Sequence, residues 1–223
     1  EEVARKQAEH YGLRFETVER PQGGLLQHVL DRRKSLDDKG KTDAPAWMSS
    51  TNRYCTSDHK RGQVNVLLTT LKDETSAEKG KKHRVRILNC LGMRANESSC
   101  RSKLTPFRLN KRNTNTLKIV HDWLPIFGMT NDEVWADIRE SGVPHHFAYD
   151  LGMPRLSCPF CIYSPYEALL LAGVHNTDLL RKYVDTQKEV RSTFKVNLDL
   201  VDVLADVEAG KKPAGRIATW EMP

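Results

Sequence analysis

The stretch RVRILNCLGMRANESSCRSK, residues 84–103, joins a run of strand-forming residues to a loop crowded with charged and hydroxyl side chains. Its aliphatic and β-branched part leads into a glycine, which predicts a strand that feeds a loop. The run TLKIVHDWLPI, residues 116–126, has the same character and predicts a second strand. Because helical patterns stand before and after these strands, the sequence predicts a layered α/β fold.

Four segments carry the spacing of apolar residues that is typical of amphipathic helices. EEVARKQAEHYG, residues 1–12, places its apolar side chains on one face and ends at a glycine. MTNDEVWADIRESG, residues 129–142, begins with a threonine and a glutamate spaced as a capping box and also ends at a glycine. Two more helical patterns, around residues 177–190 and 198–209, predict a helical C-terminal end.

Three other segments complete the predicted layout. LRFETVE, residues 13–19, alternates as a half-buried strand does, whereas residues 31–46 and 72–83 are charged and predict mobile surface loops. Together, these patterns predict an open, mostly parallel sheet flanked by helices. We expect one α/β domain over residues 1–165, followed by a helical extension over residues 166–223.

The composition is that of a globular chain. Of the 223 residues, 39% are hydrophobic and 29% are charged, and no apolar run approaches the about 20 residues that a membrane helix needs. The formal net charge of +6 makes an anionic partner plausible. The five cysteines are an odd and sparse set, which argues against the disulfide framework of a secreted protein. We therefore expect a cytoplasmic protein without a membrane partner.

The loop after the first predicted strand combines side chains that suit an anion. Ligands of open α/β sheets bind beyond the carboxyl ends of the strands, which is where this loop begins. The guanidinium groups of Arg94 and Arg101 match phosphate or sulfate oxygens, and Glu97 could orient one of them through a charge-assisted hydrogen bond. A solvated helix start has a similar composition, so the pattern alone leaves both interpretations open.

A second group of reactive side chains lies in GMPRLSCPFCIYSP, residues 152–165, where Cys158 and Cys161 stand three positions apart. Two thiols at this spacing bind a metal well, but two ligands alone rarely hold one. The segment therefore predicts a metal site that takes further ligands from elsewhere in the chain.

Three blocks of sequence resemble, in the same order, the phosphoadenosine phosphosulfate (PAPS) reductase family of the adenine-nucleotide α-hydrolase-like superfamily. They are YCTSDHK at residues 54–60, LGMRANESSCR at residues 91–101, and WLPIFGMTNDEVWADIRESGVPHHFAYDLGMPRLSCPFC at residues 123–161. The chain also resembles the sulfur-transfer enzymes of DNA phosphorothioation, which use ATP and belong to the same superfamily. The resemblance spans roughly residues 1–165, and the order and spacing of the blocks make it more specific than any single block.

The resemblance implies a sheet of about five or six strands that binds an adenine nucleotide, ATP or PAPS, at the strand ends. The family's phosphate loop, Ser-Gly-Gly-x-Asp-Ser, has no counterpart in the sequence and is expected before residue 1. The residues that match the family's nucleotide- and sulfate-binding region are Lys60, Arg94, Glu97, Ser98 and Arg101.

The resemblance also implies a 4Fe–4S cluster. In the iron–sulfur members of the family, a cysteine of the first block and the later Cys-x-x-Cys hold the cluster, and the matching residues are Cys55, Cys158 and Cys161. Cys100 is the candidate for the fourth ligand, whereas Cys90 is interpreted as a small buried hydrophobic residue. Zinc is the alternative metal, although structural zinc usually takes two close cysteine pairs. Three unrelated buried cysteines are the remaining interpretation.

The predicted activity is sulfur or adenylyl transfer rather than PAPS reduction. The sulfonucleotide reductases carry a nucleophilic cysteine in a Glu-Cys-Gly-x-His tail, and no cysteine follows Cys161 in this sequence. Such an enzyme needs a sulfur donor or acceptor protein, and nucleic acid is a candidate acceptor. The alternative is a catalytically inactive module that binds nucleotide and metal as part of a larger assembly.

Three further features have structural interpretations. His145 and His146 are predicted to be structural or substrate-lining, and Trp123, Trp135 and Phe160 to belong to the core. A basic run without acidic residues is either a solvated face or a track for nucleotide or nucleic-acid phosphates. Its members are Arg101, Lys103, Arg108, Lys111 and Arg112.

Overall fold

A computed structural model of the chain describes residues 1–80 and 83–220. These residues form two compact units, each built from separate stretches of the chain. The first unit contains Glu1–Val18 and Lys60–His145, and the second contains Glu19–His59 and His146–Trp220. The division that the sequence predicts, into residues 1–165 and 166–223, takes continuous stretches of the chain and stays a prediction. Residues 221–223 lie outside the described residues.

Helices dominate the part of the chain that the structure describes. In chain order, the α-helices are α1 (Glu2–His10), α2 (Leu25–Asp37), α3 (Tyr54–Thr56), α4 (Gly62–Lys79), α5 (Ser99–Ser102), α6 (Asn131–Ser141), α7 (Tyr166–His175), α8 (Thr177–Glu189) and α9 (Leu200–Glu208). A π-helix, Ser57–Arg61, joins α3 to α4, and a single 3₁₀ turn, Ala95–Glu97, precedes α5.

The strands β1 (Val85–Cys90), β2 (Phe107–Leu109) and β3 (Lys118–Trp123) form a sheet in the order β1-β3-β2. β1 runs parallel to β3, whereas β2 runs antiparallel to it. The α/β class and two of the three predicted strands, β1 and β3, are therefore confirmed. A mostly parallel sheet is not confirmed, because one pairing is of each kind, and the described residues supply three strands where the resemblance implied about five or six.

The predicted helix ends are confirmed where local side chains determine them. The hydroxyl oxygen of Thr130 accepts a hydrogen bond from the backbone N–H of Glu133, and the Glu133 carboxylate accepts one from the N–H of Thr130, so the capping box of α6 is complete. Gly142 ends the same helix with a φ of 65°, a left-handed conformation that suits glycine. The helical C-terminal end is also confirmed, by α7, α8 and α9.

The two charged segments that were predicted to be mobile loops are helical in part, so that prediction was wrong for residues 31–37 and 72–79, whereas residues 38–46 lie outside the helices and strands. Residues 31–37 belong to α2 and residues 72–79 belong to α4, whereas residues 81 and 82 lie outside the described residues. Lysine, arginine and glutamate are good helix formers, and a single buried stripe is enough to hold such a helix. In α2, the stripe includes Val29 and Arg33.

The strand predicted over residues 13–19 does not form. A strand needs a neighbour that satisfies its backbone hydrogen bonds, and no described strand pairs with this segment. Its Arg14 side chain instead forms an ion pair with Glu74 of α4, with 2.7 Å between Nη1 and Oε2.

The hydrophobic core of the second unit lies among α2, α7, α8 and α9, with the Cys-x-x-Cys segment packed into it. Phe160, Leu169, Leu180 and Leu200 are almost completely buried there. The helices approach closely at Gly173 of α7, where an added methyl group would lie 2.9 Å from carbons of Leu180 and Val207. Phe160 and Ile162 of the cysteine-bearing segment belong to the same core as these helices.

Candidate functional site

The carboxyl ends of β1 and β3 lie at the same edge of the sheet, because the two strands are parallel. The loop that follows β1 is tied to the loop that follows β3 by a hydrogen bond of 2.8 Å from the N–H of Ala95 to the carbonyl oxygen of Phe127. The predicted anion-binding loop therefore stands where open α/β sheets hold their ligands.

Glu97 organises this loop by bonding to the two arginines that flank it. Its carboxylate accepts a hydrogen bond of 3.2 Å from the backbone N–H of Arg94, and Oε1 lies 3.8 Å from Arg94 Nε. Its other oxygen forms an ion pair with the guanidinium of Arg101. One carboxylate thus holds two guanidinium groups side by side, with the side chains only partly exposed.

The guanidinium of Arg94 retains a buried donor without an acceptor among the described residues. Its Nη2 donates to the side-chain oxygen of Asn131, at 3.4 Å, whereas Nη1 is buried and has no hydrogen-bond partner in the described part of the chain. Buried donors normally have partners, so this atom is available for an oxygen of a ligand. Asn131 begins α6, and sequence reasoning missed it because its neighbours indicated only a helix cap.

Ser98 lies between the two arginines and is buried. Its hydroxyl oxygen accepts a hydrogen bond of 3.3 Å from the N–H of Arg101 and caps the short helix α5. Lys60 belongs to the same unit and is exposed, but no hydrogen bond or ion pair described in the structure joins it to this loop. The structure therefore brings together Arg94, Glu97, Ser98 and Arg101, whereas no described hydrogen bond or ion pair joins Lys60 to them.

Two charges of the basic run are neutralised within the fold. Arg101 pairs with Glu97, and Arg108 lies 3.4 Å from a carboxylate oxygen of Asp122, which is buried in β3. Asn89 and Asn110 donate to the same carboxylate, each at 2.9 Å. The sequence of the run contains no acid, but the fold supplies one from a neighbouring strand, so a continuous track for phosphates gains no support.

Three of the predicted metal ligands lie in the second unit and approach one phenol. Cys55, Cys158 and Cys161 are all partly buried, and Cys55 packs against the hydrophobic core. Burial raises the pKa of Tyr183, and the nearby thiols of Cys158, Cys161 and Cys55 raise it further. Within residues 1–80 and 83–220, however, no three His, Cys, Asp or Glu side chains form a group that could hold a metal ion.

The kind of donor that these residues offer fits a thiolate-held metal. The three side chains are thiols, and no disulfide joins any of the five cysteines, all of which are described. Thiolates are the ligands of iron–sulfur clusters and also suit zinc. Cys100 belongs to the first unit, where it is exposed on α5.

The prediction that Cys90 is buried was wrong, and so was the prediction that Trp123 belongs to the core. Both residues are exposed, Trp123 by 42% of its surface, and they pair across β1 and β3. They share a face of the sheet with the exposed side chains of Leu88, Phe107 and Leu109. An aliphatic or aromatic residue in a strand is buried only if another layer covers its face, which sequence alternation cannot reveal.

The remaining aromatic and histidine predictions have mixed outcomes. Phe160 is buried, as predicted, whereas Trp135 is partly buried with its ring 5.3 Å from that of His145. His146 accepts a hydrogen bond of 3.1 Å at Nδ1 from the N–H of Ala148, which gives it a structural role.

Among the helices of the described residues, none has the length and apolar character that crossing a membrane requires.

The comparisons with known proteins agree with the resemblance. The model of the phosphoadenosine phosphosulfate reductase domain matches residues 25–164, which is more than half of the chain. No curated protein matches the chain. The matched range includes the strand-end loop, the strands β1 and β3, and the cysteines at positions 55, 158 and 161. The chain therefore belongs to the phosphoadenosine phosphosulfate reductase domain family.

Proposed function

We propose that the chain binds an adenine nucleotide, ATP or PAPS, at the carboxyl ends of β1 and β3 and carries out sulfur or adenylyl transfer. The family binds adenine-nucleotide substrates and is generally enzymatic, so in coarse terms the chain is a nucleotide-binding enzyme. The observation that carries the finer proposal is the pair of guanidinium groups that Glu97 holds at the strand ends.

The side chains of the strand-end loop suit a phosphate or sulfate group. Arg94 contributes a buried Nη1 donor that lacks an acceptor in the described residues, and Arg101 contributes a second guanidinium. The Ser98 hydroxyl accepts from the backbone and still has its own proton to donate. In this proposal Lys60 adds a point charge, because a lysine side chain is long and can reorient toward a bound anion.

Transfer is proposed over reduction because of the side chains that the chain offers. Reduction of a sulfonucleotide requires a nucleophilic cysteine that attacks the sulfo group. Cleavage at the α-phosphate of ATP requires instead that the phosphates be held and their charge balanced, which the arginines of the loop supply. A separate protein would supply or accept the sulfur, with nucleic acid as a candidate acceptor and the cytoplasm as the proposed location.

Cys55, Cys158 and Cys161 are the residues that would hold a 4Fe–4S cluster, with Cys100 as the candidate fourth ligand and zinc as the alternative metal. A cluster bound there would supply an electron-transfer centre whose potential depends on its burial and hydrogen bonding. The packing of Cys55 against the apolar core supports a shielded site.

A scaffold role is the second candidate function, and the exposed face of the sheet favours it. An apolar surface on this face consists of residues that are each 42–56% exposed, namely Leu88, Phe107, Leu109 and Trp123. Exposed apolar patches of this kind often mark contacts with other proteins. In this alternative the chain keeps its nucleotide and metal sites but contributes no catalysis.

Nucleotide binding tests the loop directly. Calorimetric titration with ATP and with PAPS should show that Arg94→Ala weakens binding by about 1–3 kcal/mol, the range for a lost hydrogen bond to a charged group. Arg139→Ala is the matched control, because Arg139 is exposed on α6 of the same unit. Equal affinities in the wild type and Arg94→Ala would contradict the assigned site.

Product analysis separates the candidate activities. The transfer proposal predicts that ATP yields AMP and pyrophosphate and that PAPS with reduced thioredoxin yields no sulfite. Release of sulfite would establish reduction instead, whereas nucleotide binding without either product would favour the scaffold role.

Metal analysis tests the cysteines independently. Protein purified without oxygen should be brown and contain iron and acid-labile sulfide, and Cys158→Ser should remove the colour and destabilise the second unit. Colourless wild-type protein with stoichiometric zinc would show that these cysteines bind zinc, the alternative metal, and not an iron–sulfur cluster.

A further inference from the structure

A cavity of 270 Å³ lies in the second unit beside the Cys-x-x-Cys segment. Its walls come from the stretch before Cys158 and from the end of α7, and they include His146, Arg155, Cys158 and His175. We infer that this cavity binds a small oxyanion, of the size of sulfite, thiosulfate, sulfate or phosphate. Nothing in the nucleotide-binding proposal requires this second site.

The first support is the charge of the cavity. Arg155 carries a guanidinium, and no carboxylate in the described part of the chain forms an ion pair with it. None of the described residues that line the cavity is acidic. A guanidinium that borders a partly enclosed space without a counter-charge favours an anionic ligand.

Two contacts with Trp220 also position the guanidinium of Arg155. Its Nη1 donates a hydrogen bond of 2.7 Å to the carbonyl oxygen of Trp220, and the guanidinium carbon lies 5.7 Å from the centre of the Trp220 ring. Its Nε is buried and has no acceptor among the described residues. The protein therefore positions a guanidinium whose hydrogen-bonding capacity it does not itself satisfy.

His146 adds a donor whose tautomer follows from its contacts. Nδ1 accepts the N–H of Ala148 at 3.1 Å, so the proton of the neutral ring is on Nε2. A donor at Nε2 in the wall of the cavity complements the oxygen of an anion. His175, the exposed last residue of α7, also lines the cavity and provides a further donor.

The junction of α7 and α8 favours an anion as well. Asn176 lines the cavity and stands at the N-terminus of α8, but its side chain turns back and donates to the carbonyl oxygen of Ala172 at 2.9 Å. The first N–H groups of α8 therefore lack a side-chain cap, and only the Asp178 carboxylate in the first turn offsets the positive end of that helix dipole. The Thr177 hydroxyl also satisfies the carbonyl of Gly173, so the negative end of α7 is partly covered.

The size of the cavity sets the class of ligand. Drug-sized and cofactor-sized ligands usually take pockets of about 300–1,000 Å³, and this cavity lies just below that range. It suits an ion of a few heavy atoms better than a complete adenine nucleotide. Apolar side chains such as Leu171 and Met153 line part of the cavity, and an apolar lining strengthens the attraction of the guanidinium for its ligand.

The cavity places such an ion beside Cys158, one of the proposed metal ligands. Only the further step, that the ion is a sulfur species used in transfer, rests on the proposed function. Binding itself depends on the second unit alone, so failure of this inference and failure of nucleotide binding are separate results.

Calorimetric titrations of the full chain with sulfite, thiosulfate, sulfate and phosphate, at constant ionic strength, test the inference. At least one of these ions should bind at millimolar concentrations or below, and Arg155→Met should weaken that binding at least tenfold. The affinity of Arg155→Lys for the ion should lie between those of the wild type and Arg155→Met, because lysine keeps the charge but lacks the guanidinium fork. Tighter binding of sulfite or thiosulfate than of sulfate and phosphate would identify a sulfur site, whereas equal binding would identify a general oxyanion site.

Arg181→Met is the matched control, because Arg181 is exposed in the same unit and pairs with Asp178 and Glu208. It should leave the affinity for the ion unchanged, and Arg155→Met should leave ATP or PAPS binding unchanged. Should Arg155→Met fail to fold, Arg155→Lys and His175→Gln carry the test, the latter with an expected loss of a few-fold. Absence of binding for all four ions, or wild-type affinity in these variants, would overturn the inference.

Discussion

Glu97→Gln should lower the free energy of unfolding, because the Glu97 carboxylate separates and holds two guanidinium groups. The side chains of Arg94, Glu97 and Arg101 are 15%, 22% and 27% exposed, so water screens their charges only in part. At the 3.8 Å between Arg94 Nε and Glu97 Oε1, two unit charges attract by about 4 kcal/mol at an effective dielectric constant of about 20. Desolvation offsets much of this attraction, and we expect a net loss of about 1–3 kcal/mol.

Glu133→Gln is the matched control for this substitution. Glu133 is the capping-box glutamate of α6, and its carboxylate accepts hydrogen bonds from Thr130 just as Glu97 accepts one from the N–H of Arg94. It has no arginine partner among the described ion pairs. Its substitution should therefore cost only the capping and helix-dipole contributions, about 0.5–1 kcal/mol.

Urea unfolding of the wild type and of both variants measures these differences. Added sulfate should restore stability to Glu97→Gln more than to Glu133→Gln, because the anion takes the place of the lost carboxylate between Arg94 and Arg101. Equal losses in the two variants, or no specific rescue by sulfate, would refute the reasoning that Glu97 organises an anion-binding pair.

Three further predictions concern stability and its dependence on pH. Burial lowers the pKa of both His28 and His59, whose ring nitrogens lie 3.0 Å apart, so the stability that the neutral pair contributes should be complete above about pH 6.5 and lost as the pH falls through the folded pKa values. The urea midpoint of His59→Asn should therefore fall less steeply with acid than that of the wild type, and an equally steep fall would contradict this prediction. Burial also lowers the pKa of Lys118, whose amino group donates a hydrogen bond to Thr69, so the free energy of unfolding should rise as the pH approaches 10.5, the pKa of lysine in the unfolded chain. Lys118→Met should abolish that rise and increase the free energy of unfolding by on the order of 1 kcal/mol at neutral pH, and a decrease would show that the fold accommodates the charge well. Gly173→Ala should lower the free energy of unfolding by about 1–2 kcal/mol, because the added methyl group crowds α8 and α9 by more than the gain in helix propensity offsets. Thermal or urea unfolding measures the difference, and a stabilised variant would show that the helices move apart easily.

Local features of the strand-end loop could be predicted from the sequence because they depend on residues close together in the chain. Arg94, Glu97 and Arg101 stand three and four positions apart, a spacing at which side chains in a turn or helix meet. Asn131 could not be found in this way, since its contact with Arg94 joins the loop after β1 to the first residue of α6, which follows β3. The same holds for Arg155, whose carbonyl partner at Trp220 is distant in sequence.

The sequence by itself determined the α/β class, the strands β1 and β3, and the capped helix α6, because each follows from a periodicity or a cap of short range. Only the tertiary structure decided which of these elements had neighbours. It left residues 13–19 without a strand partner, buried one stripe of α2, exposed Cys90 and Trp123 on a face of the sheet, and set Asp122 against Arg108. The physical reason is that burial and strand pairing each require a second element to cover or pair with the first, and a local sequence pattern describes only the first element.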